Sequence, residues 1–150
     1  MKPNITIDTL ESICQAAQVS VTPKRRSILL CLLAADAPMS AYDIVRAYQA
    51  RFQKSLPAMS VYRILDLFVK AGVVHKLESV NAYLLCDHLA CDHTHDNAQF
   101  LICDTCHAVT EITMDSEIHQ RLVTGVKKTG FQLNKLQVEL HGTCQACVSA

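Results

Sequence analysis

The stretch AMSVYRILDLFVKAGVVHKLESVNAYLLC, residues 58–86, decides the fold because the period of its apolar pattern changes partway along. Apolar residues first recur at steps of three and four, namely Val61, Ile64, Leu65 and Phe68. This spacing predicts a helix over about 58–71, with Gly72 as its C-terminal cap. VVHKLES and AYLLC then predict two strands, joined by a short turn at Val80 and Asn81. A helix therefore leads directly into a β-hairpin.

Two further helices are predicted upstream of this stretch. Thr22 before Pro23 is typical of an N-cap followed by proline at the first helical position, and KRRSILLCLLAA continues at helical spacing. After Pro38, Ser40 can cap a second helix, AYDIVRAYQARF. Three helices and a hairpin predict a winged helix-turn-helix; a helical bundle with an attached hairpin is the alternative that the pattern leaves open.

The second half of the chain predicts a separate small module. Residues 86–96, CDHLACDHTHD, are dense in Cys, His and Asp and are typical of a linker. QFLIC, AVTEITM, DSEIHQRLVTGVKKTG and LNKLQVELHG then read as strand, strand, helix and strand. So short a module buries little apolar surface, which dimerisation or a metal ion would offset. The expected class is α+β, with a winged unit over 1–86, a metal-rich linker over 87–98 and an α/β domain over 99–150.

The net charge of zero conceals two halves of opposite sign. Residues 1–76 carry ten Lys and Arg against five Asp and Glu, and residues 77–150 carry four against nine. A basic half suits a polyanion such as DNA, and equally an ordinary solvated surface. Apolar runs such as ILLCLLAA at 28–35 are shorter than the roughly 20 residues that span a bilayer, and the N-terminus lacks the apolar core of a signal peptide. We therefore expect a cytoplasmic protein with no membrane segment.

Eight cysteines in a chain without an export signal indicate metal or redox chemistry rather than disulfide scaffolding. Cys103 and Cys106 form one Cys-x-x-Cys pair, and Cys144 and Cys147 form another. Two such turns brought together make the four-sulfur shell of structural zinc sites, which leaves no open position for a substrate. The alternative is a thioredoxin-like or reversible disulfide pair, and the presence of two motifs argues against it.

A second set of potential ligands is scattered through the middle of the chain. Its mixed nitrogen, sulfur and oxygen donors suit zinc, whereas iron usually binds fewer sulfurs and more carboxylates. The candidates are His75, Cys86, His88, Cys91, His93, His95 and Glu111. A site assembled across the junction would couple metal occupancy to the angle between the modules. Cys14 and Cys31 are expected in the core. Surface or turn roles are expected for His107, His119 and His141.

The order and spacing of these motifs resemble the ferric uptake regulator (Fur) family over nearly the whole chain. The segments that carry the resemblance are VTPKRRSILL, SAYDIV, SVYRILDLFVKAGVVHKLES, NAYLLC, FLICDTCHAV and HGTCQACV. The histidine of VVHKLES and the cysteine of YLLC resemble the zinc uptake branch more than the iron and peroxide sensors. The resemblance implies a homodimeric, zinc-responsive repressor of zinc uptake genes, whose winged helix binds operator DNA and whose C-terminal α/β domain dimerises.

The resemblance also implies two zinc ions per chain. A structural zinc is expected on the four paired cysteines, and a regulatory zinc on His75, Cys86 and Glu111 together with a linker histidine. The stretch between Cys86 and Cys103 is longer than the family pattern and contains an additional cysteine, so the fourth ligand is chosen by its place before AQFLIC. It is expected to be His95, and the alternates are His93, Cys91 and His88.

For the helix over 58–71 the resemblance implies a place in the major groove of DNA. Its apolar stripe faces inward, which leaves Ser60, Tyr62 and Arg63 near the entering end. Arg63 is expected to contact guanine and Tyr62 a thymine methyl. The alternatives are that Tyr62 caps the core and that Arg63 pairs with Asp66. Contacts to phosphate or sugar are expected from Tyr42, Lys24, Arg25 and Lys76.

Three other functions compete with this interpretation. An iron or peroxide sensor of the same family is one, and a cytosolic zinc-binding protein without sequence-specific DNA binding is another. The third is a zinc hydrolase or deaminase, which needs an open coordination position and a nearby general base. The chain has neither His-Glu-x-x-His nor the deaminase signature, so no enzyme activity and no catalytic residue is predicted.

Overall fold

The structure, a computed structural model, describes residues 5–87, 89 and 98–150. The chain separates into two compact units at residues 92 and 93. This point falls inside the predicted linker, and the finer boundaries at 86 and 98 stay predictions. The linker candidates His88, Cys91, His93 and His95 lie outside the described residues. In the described part of the chain, none of the helices is both long and apolar enough to cross a membrane.

The first unit consists of helices followed by a hairpin. Its elements are α1 (Ile7–Ala16), α2 (Pro23–Ala34), α3 (Ala41–Phe52), α4 (Ala58–Lys70), β1 (Val74–Leu77) and β2 (Ala82–Leu85). The predicted three helices and the hairpin are all present, but the number of helices was wrong because α1 precedes them. Thr6 caps α1 by accepting a hydrogen bond from the N–H of Thr9 at 3.3 Å, and α1 buries Leu10 and Cys14.

Local chemistry explains where α3 begins and where α4 ends. Ser40 and Asp43 form a capping box at the start of α3: the N–H of Asp43 donates to Ser40 Oγ at 3.1 Å, and the N–H of Ser40 donates to Asp43 Oδ2 at 2.9 Å. After α4, Gly72 adopts a φ of 72°, which is the left-handed conformation of a helix C-terminus. The chain can therefore turn at once into β1.

One core joins the helices to the hairpin. It includes Ile28, Leu29, Ile44 and the whole predicted stripe of α4, Val61, Ile64, Leu65 and Phe68. β1 and β2 pair antiparallel, with His75 opposite Leu84. Met39 and Tyr83 exchange two backbone hydrogen bonds, of 2.9 and 2.8 Å, so that the segment before α3 is tied to β2. The hairpin is thereby held against the helices as a wing.

The second unit is a three-stranded sheet with two helices. Its elements are β3 (Ala98–Cys103), β4 (Val109–Thr113), α5 (Ser116–Lys128), β5 (Val138–Gly142) and α6 (Gln145–Val148). The strand order is β4-β3-β5, with β3 antiparallel to β4 and parallel to β5. The last strand was predicted from Leu133 but begins only at Val138, and the short α6 was not predicted. Together the two units confirm the α+β class.

Candidate metal centres and nucleic-acid interface

The second unit brings the four paired cysteines together. The Sγ atoms of Cys103, Cys106, Cys144 and Cys147 all lie within 4.8 Å of one another, and those of Cys106 and Cys144 are 3.6 Å apart. Four sulfurs at tetrahedral corners, each about 2.3 Å from a zinc ion, would lie about 3.8 Å apart. The donor set and its spacing therefore fit one ion bound tetrahedrally by four sulfur atoms.

Two turns at one end of the sheet position these thiols. Cys103 ends β3, and the turn after it closes where the N–H of His107 donates to the carbonyl oxygen of Cys103 at 2.9 Å. Cys144 is the N-cap of α6, and the N–H of Cys147 donates to its carbonyl oxygen at 2.9 Å. Because β5 runs parallel to β3, with Gly142 beside Cys103, the chain after β5 emerges next to the first turn.

Hydrogen bonds within the cluster also shift the pKa values of Cys103 and Cys147. Backbone N–H groups of Cys106 and Cys144 point at the sulfur of Cys103, the latter at 3.3 Å, and lower the pKa of Cys103 to about 6. Hydrogen bonds with the thiols of Cys144 and Cys106 raise the pKa of Cys147 to about 12. A divalent metal ion would supply the positive charge that four thiolates need.

A hydrogen-bonded pair beside the cysteines was not predicted. His141 Nδ1 lies 2.8 Å from Asp104 Oδ1, and the N–H of Asp104 donates to the carbonyl oxygen of Gly142 at 2.9 Å. His141 is exposed, as expected, and its ring also links the ends of β3 and β5. Both residues stand close to a Cys-x-x-Cys pair in the sequence, but only the strand register reveals that they meet.

The winged unit buries two of the other predicted ligands. His75 on β1 is 7% exposed, and Cys86, directly after β2, is 0% exposed. The N–H of Cys86 donates to the carbonyl oxygen of Val73 at 3.0 Å, which fixes the chain after the hairpin. A ring nitrogen of His75 and the sulfur of Cys86 lie within 4.8 Å of each other. An imidazole and a thiol at this spacing can bind one zinc ion.

The predicted carboxylate ligand, Glu111, belongs to the second unit. It lies on β4 opposite Phe100 and is 8% exposed. A buried carboxylate is costly unless it is hydrogen-bonded, paired or bound to a metal. The fourth predicted ligand, His95, and its alternates lie outside the described residues.

The exposed face of α4 carries the residues predicted to read DNA. Arg63 is exposed, and in the described residues no ion pair joins it to Asp66. Ser60 and Tyr62 are half-buried, and Tyr62 packs against the core, as the alternative for this side chain expected. Arg63 is therefore the predicted base-reading residue that α4 presents most openly.

The predicted phosphate-contacting residues fall into two groups. Tyr42, at the start of α3, is 60% exposed, and Lys24 is exposed on the first turn of α2. Arg25 instead donates to the carbonyl oxygen of Ser20 at 2.6 Å. Lys76 Nζ lies 2.9 Å from Glu78 Oε2. Arg25 and Lys76 would have to exchange these partners to reach a phosphate.

Comparisons with known proteins place the chain among metal-dependent regulators. The sequence model of the ferric uptake regulator family matches residues 16–141. The chain is 39% identical over 138 residues to the zinc uptake regulation protein of Escherichia coli (strain K12), which covers 92% of this chain and 78% of that protein. It is 28% identical over 142 residues to the peroxide operon regulator of Bacillus subtilis (strain 168), covering 93% and 91% of the two chains. A solved zinc uptake regulator complexed with zinc and DNA matches with a TM-score of 0.84 and 34% identity, over 95% of this chain and 93% of that one. The chain belongs to the ferric uptake regulator family.

Proposed function

We propose that this chain is a zinc-responsive, DNA-binding transcriptional repressor of zinc uptake genes that acts as a homodimer in the cytoplasm. Its family, its 39% identity to a zinc uptake regulation protein and its likeness to a regulator solved with zinc and DNA support this function. The single observation that carries it is the buried pair of His75 and Cys86 on the hairpin of the winged unit. An imidazole and a thiol are ligands that suit zinc, whereas iron prefers a harder set of ligands that is richer in carboxylates.

The four-cysteine cluster is the proposed structural zinc site. Zinc there would join the turn after β3 to α6, and such sites contribute apparent folding free energies on the order of 10 kcal/mol. Four protein ligands close the coordination shell, so the ion would offer no position for a substrate. This closed shell supports a structural role and counts against a zinc enzyme.

The regulatory zinc is proposed to bind His75, Cys86 and Glu111, with His95 as the fourth ligand. These residues come from both units, so the ion would favour whichever arrangement of the units brings its ligands together. Couplings of this kind are typically about 1–3 kcal/mol. A switch from 1:99 to 99:1 would need about 5.5 kcal/mol of differential binding. His93, Cys91 and His88 remain the alternates for the fourth ligand.

DNA recognition is proposed to run through α4. Arg63, exposed on its first turns, suits a bidentate contact to the O6 and N7 atoms of guanine, worth about 1–3 kcal/mol of discrimination. Ser60 and Tyr62 would contact base edges at the same end of the helix. Tyr42 and Lys24 are exposed and would contact the backbone, whereas the partners already held by Arg25 and Lys76 lower their expected contribution.

The second unit supports dimerisation. No residue of α5 is buried, and Ile118 and Leu122, one turn apart, are 52% and 41% exposed. A second copy that covers this face would remove apolar surface from water. A two-fold dimer would then present two α4 helices to successive major grooves, about 34 Å apart.

The test is a zinc count combined with a DNA titration. A duplex is first selected from a randomised library with zinc-loaded protein, and its binding is then measured at fixed salt, because phosphate contacts make affinity salt-dependent. Wild type, Cys86→Ala and Cys31→Ala are compared after chelation and after loading with zinc, iron(II) or manganese(II). Cys31→Ala is the matched control because Cys31, like Cys86, is a buried thiol but lies in the helical core.

We expect two zinc ions per chain in wild type and in Cys31→Ala, with tight DNA binding that requires the second ion. Cys86→Ala should hold one zinc and bind DNA equally with and without added zinc. Tightest binding with iron or manganese would favour the iron or peroxide sensors instead. One zinc per chain and metal-indifferent DNA binding would refute the sensor and leave the four-cysteine site as a structural element.

A further inference from the structure

The first turn of α4 carries an exposed apolar side chain that neither the core nor the proposed zinc sites use. Met59, the second residue of α4, is 64% exposed. The central apolar stripe of this helix is, by contrast, fully or almost fully buried. An isolated exposed methionine would need no explanation on an ordinary surface. At the end of a recognition helix that enters the major groove, an exposed methionine can contact a specific apolar group of the DNA.

The position of Met59 relative to Arg63 defines that partner. The two residues are four apart on one helix, so their side chains lie on the same face with Cβ atoms about 6 Å apart. Side chains of a helix lean toward its N-terminus, which is the end that contacts base edges in helix-turn-helix proteins. Successive base pairs are about 3.4 Å apart. If Arg63 contacts a base pair as proposed, Met59 would lie within reach of the base pair one or two steps away.

The packing of Tyr62 strengthens the case for Met59. Tyr62 is half-buried and part of its ring packs on the core, so Met59 offers the more accessible apolar surface at this end of α4. The major groove presents one apolar group, the C5-methyl of thymine, and apolar side chains recognise thymine through it. The flexible thioether of methionine adapts easily to such a contact.

We propose that Met59 is a specificity-determining residue that packs against a thymine methyl group beside the guanine contacted by Arg63. The inference rests on the proposed DNA-binding function and adds to the contacts of Ser60, Tyr62 and Arg63. It requires that affinity depend on one methyl group in each half-site and that this dependence disappear when Met59 is shortened.

The experiment removes single methyl groups from the DNA. Each thymine of the selected duplex is replaced in turn by deoxyuridine, which differs from thymine in lacking the C5-methyl group. Binding of the zinc-loaded wild type, Met59→Ala, Met59→Leu and Val80→Ala is then measured. Val80 is the matched control because it is an exposed apolar residue of the same unit, in the turn between β1 and β2. Thermal melts verify that all variants fold.

At one thymine per half-site, wild type should lose about fourfold in affinity. This thymine should lie one or two steps from the guanine that Arg63 contacts. That guanine is located by substituting each guanine in turn and finding the one whose substitution no longer weakens binding by a further variant, Arg63→Ala. Met59→Ala should bind thymine and deoxyuridine equally there, while Met59→Leu and Val80→Ala should retain the loss. Equal losses in wild type and Met59→Ala at every thymine would overturn the inference and leave the proposed function standing. Failure of zinc-loaded wild type to select any duplex would overturn both.

Discussion

His107 holds a left-handed backbone conformation, with φ at 61°, in the turn after Cys106. For a residue with a Cβ this conformation costs roughly 1–2 kcal/mol, whereas glycine adopts it freely. His107 is exposed, so His107→Gly should lose little packing. After allowance for the greater entropy of glycine in the unfolded chain, we expect a gain on the order of 0.5–1 kcal/mol. The urea midpoint of the zinc-loaded protein measures it.

The matched control is His119→Gly, the same substitution inside α5. Glycine in a helix interior is less favourable than histidine by a few tenths of a kcal/mol, so this variant should be destabilised. Opposite signs for the two variants are expected, because glycine relieves the left-handed backbone at His107 but weakens the helix at His119, where a half-buried side chain is also lost. A loss of stability in both would contradict the strain assigned to His107.

The sequence predicted several properties of individual residues. The burial of Cys14 and Cys31 and the meeting of the four paired cysteines in the fold follow from apolar context and from motif spacing. The left-handed turns at Gln18, Gln53 and His107 do not, because glycine is the usual sequence signal for that conformation and none of them is glycine. The cross-strand contact of His141 also required the strand register.

Among the elements, α3 depends on the Ser40–Asp43 capping box. Hydrogen bonds from the hydroxyl and the N–H of Ser40 lower the pKa of the Asp43 carboxyl. A carboxylate whose pKa is lowered on folding stabilises the protein above the pKa of the unfolded chain, about 3.9, and loses that contribution as the pH falls through the folded value. Asp43→Asn should therefore reduce stability by about 0.5–1 kcal/mol at pH 7, and by less below about pH 4.

Urea unfolding at pH 7 and pH 3.5, with EDTA present at both so that metal occupancy does not change, measures this difference. Asp8→Asn is the control, since it removes the same charge from the first turn of α1, where Thr6 supplies the cap. A penalty for Asp43→Asn that is no larger than that of Asp8→Asn would show that only the helix dipole is involved.

The end of the second unit is expected to depend on its metal. Removing one thiol with Cys147→Ala should abolish zinc binding at the four-cysteine site and free α6 and the end of β5, at an apparent cost on the order of 10 kcal/mol for full loss of the ion. Amide hydrogens of β5 should then exchange rapidly while those of α2, α3 and α4 stay protected. Cys31→Ala serves as the comparison. Retained protection of β5 in Cys147→Ala would contradict a structural role for zinc.

The elements that the sequence predicted share strong local signals, and those that it missed lack them. α1 has a threonine cap, but it ends at Ala16 and is followed by Ala17 and a left-handed Gln18 instead of a glycine, so the pattern offered no clear stop. β5 is shorter than its apolar pattern because its pairing with β3 runs only from Gln99 beside Val138 to the end of β3. The pairing register, which periodicity does not encode, shows where that strand begins.

For the whole molecule, the sequence distinguishes two candidate metal sites by the types of their donor atoms. Four thiols of the second unit lie close together, so this candidate site needs no ligand from the winged unit. The His75 and Cys86 pair lies in the winged unit and needs further ligands, which the sequence places in the linker and on β4. Spacing predicted that the four paired thiols would come together, and they do; that they bind zinc stays a prediction. For the second candidate site, four closely spaced residues between 88 and 95 gave no periodic pattern from which to choose a ligand.

Dimerisation is also a property of the whole molecule, and substitutions on α5 test it. Replacing Ile118 and Leu122 together with Glu would place two charges on the face that a second copy is proposed to cover. Because burying one such side chain is worth about 1.5–3 kcal/mol, the dimer dissociation constant should rise more than about 100-fold. Sedimentation equilibrium measures this constant, and operator affinity should fall in parallel as the half-sites bind independently.

The control is Gln120→Glu, a single added charge on an exposed position of the same helix, which should leave both the dimer dissociation constant and the operator affinity unchanged. An intact dimer in the double variant would move the interface elsewhere on the unit, with the exposed Leu101 and Leu140 of the sheet as the next surface to test.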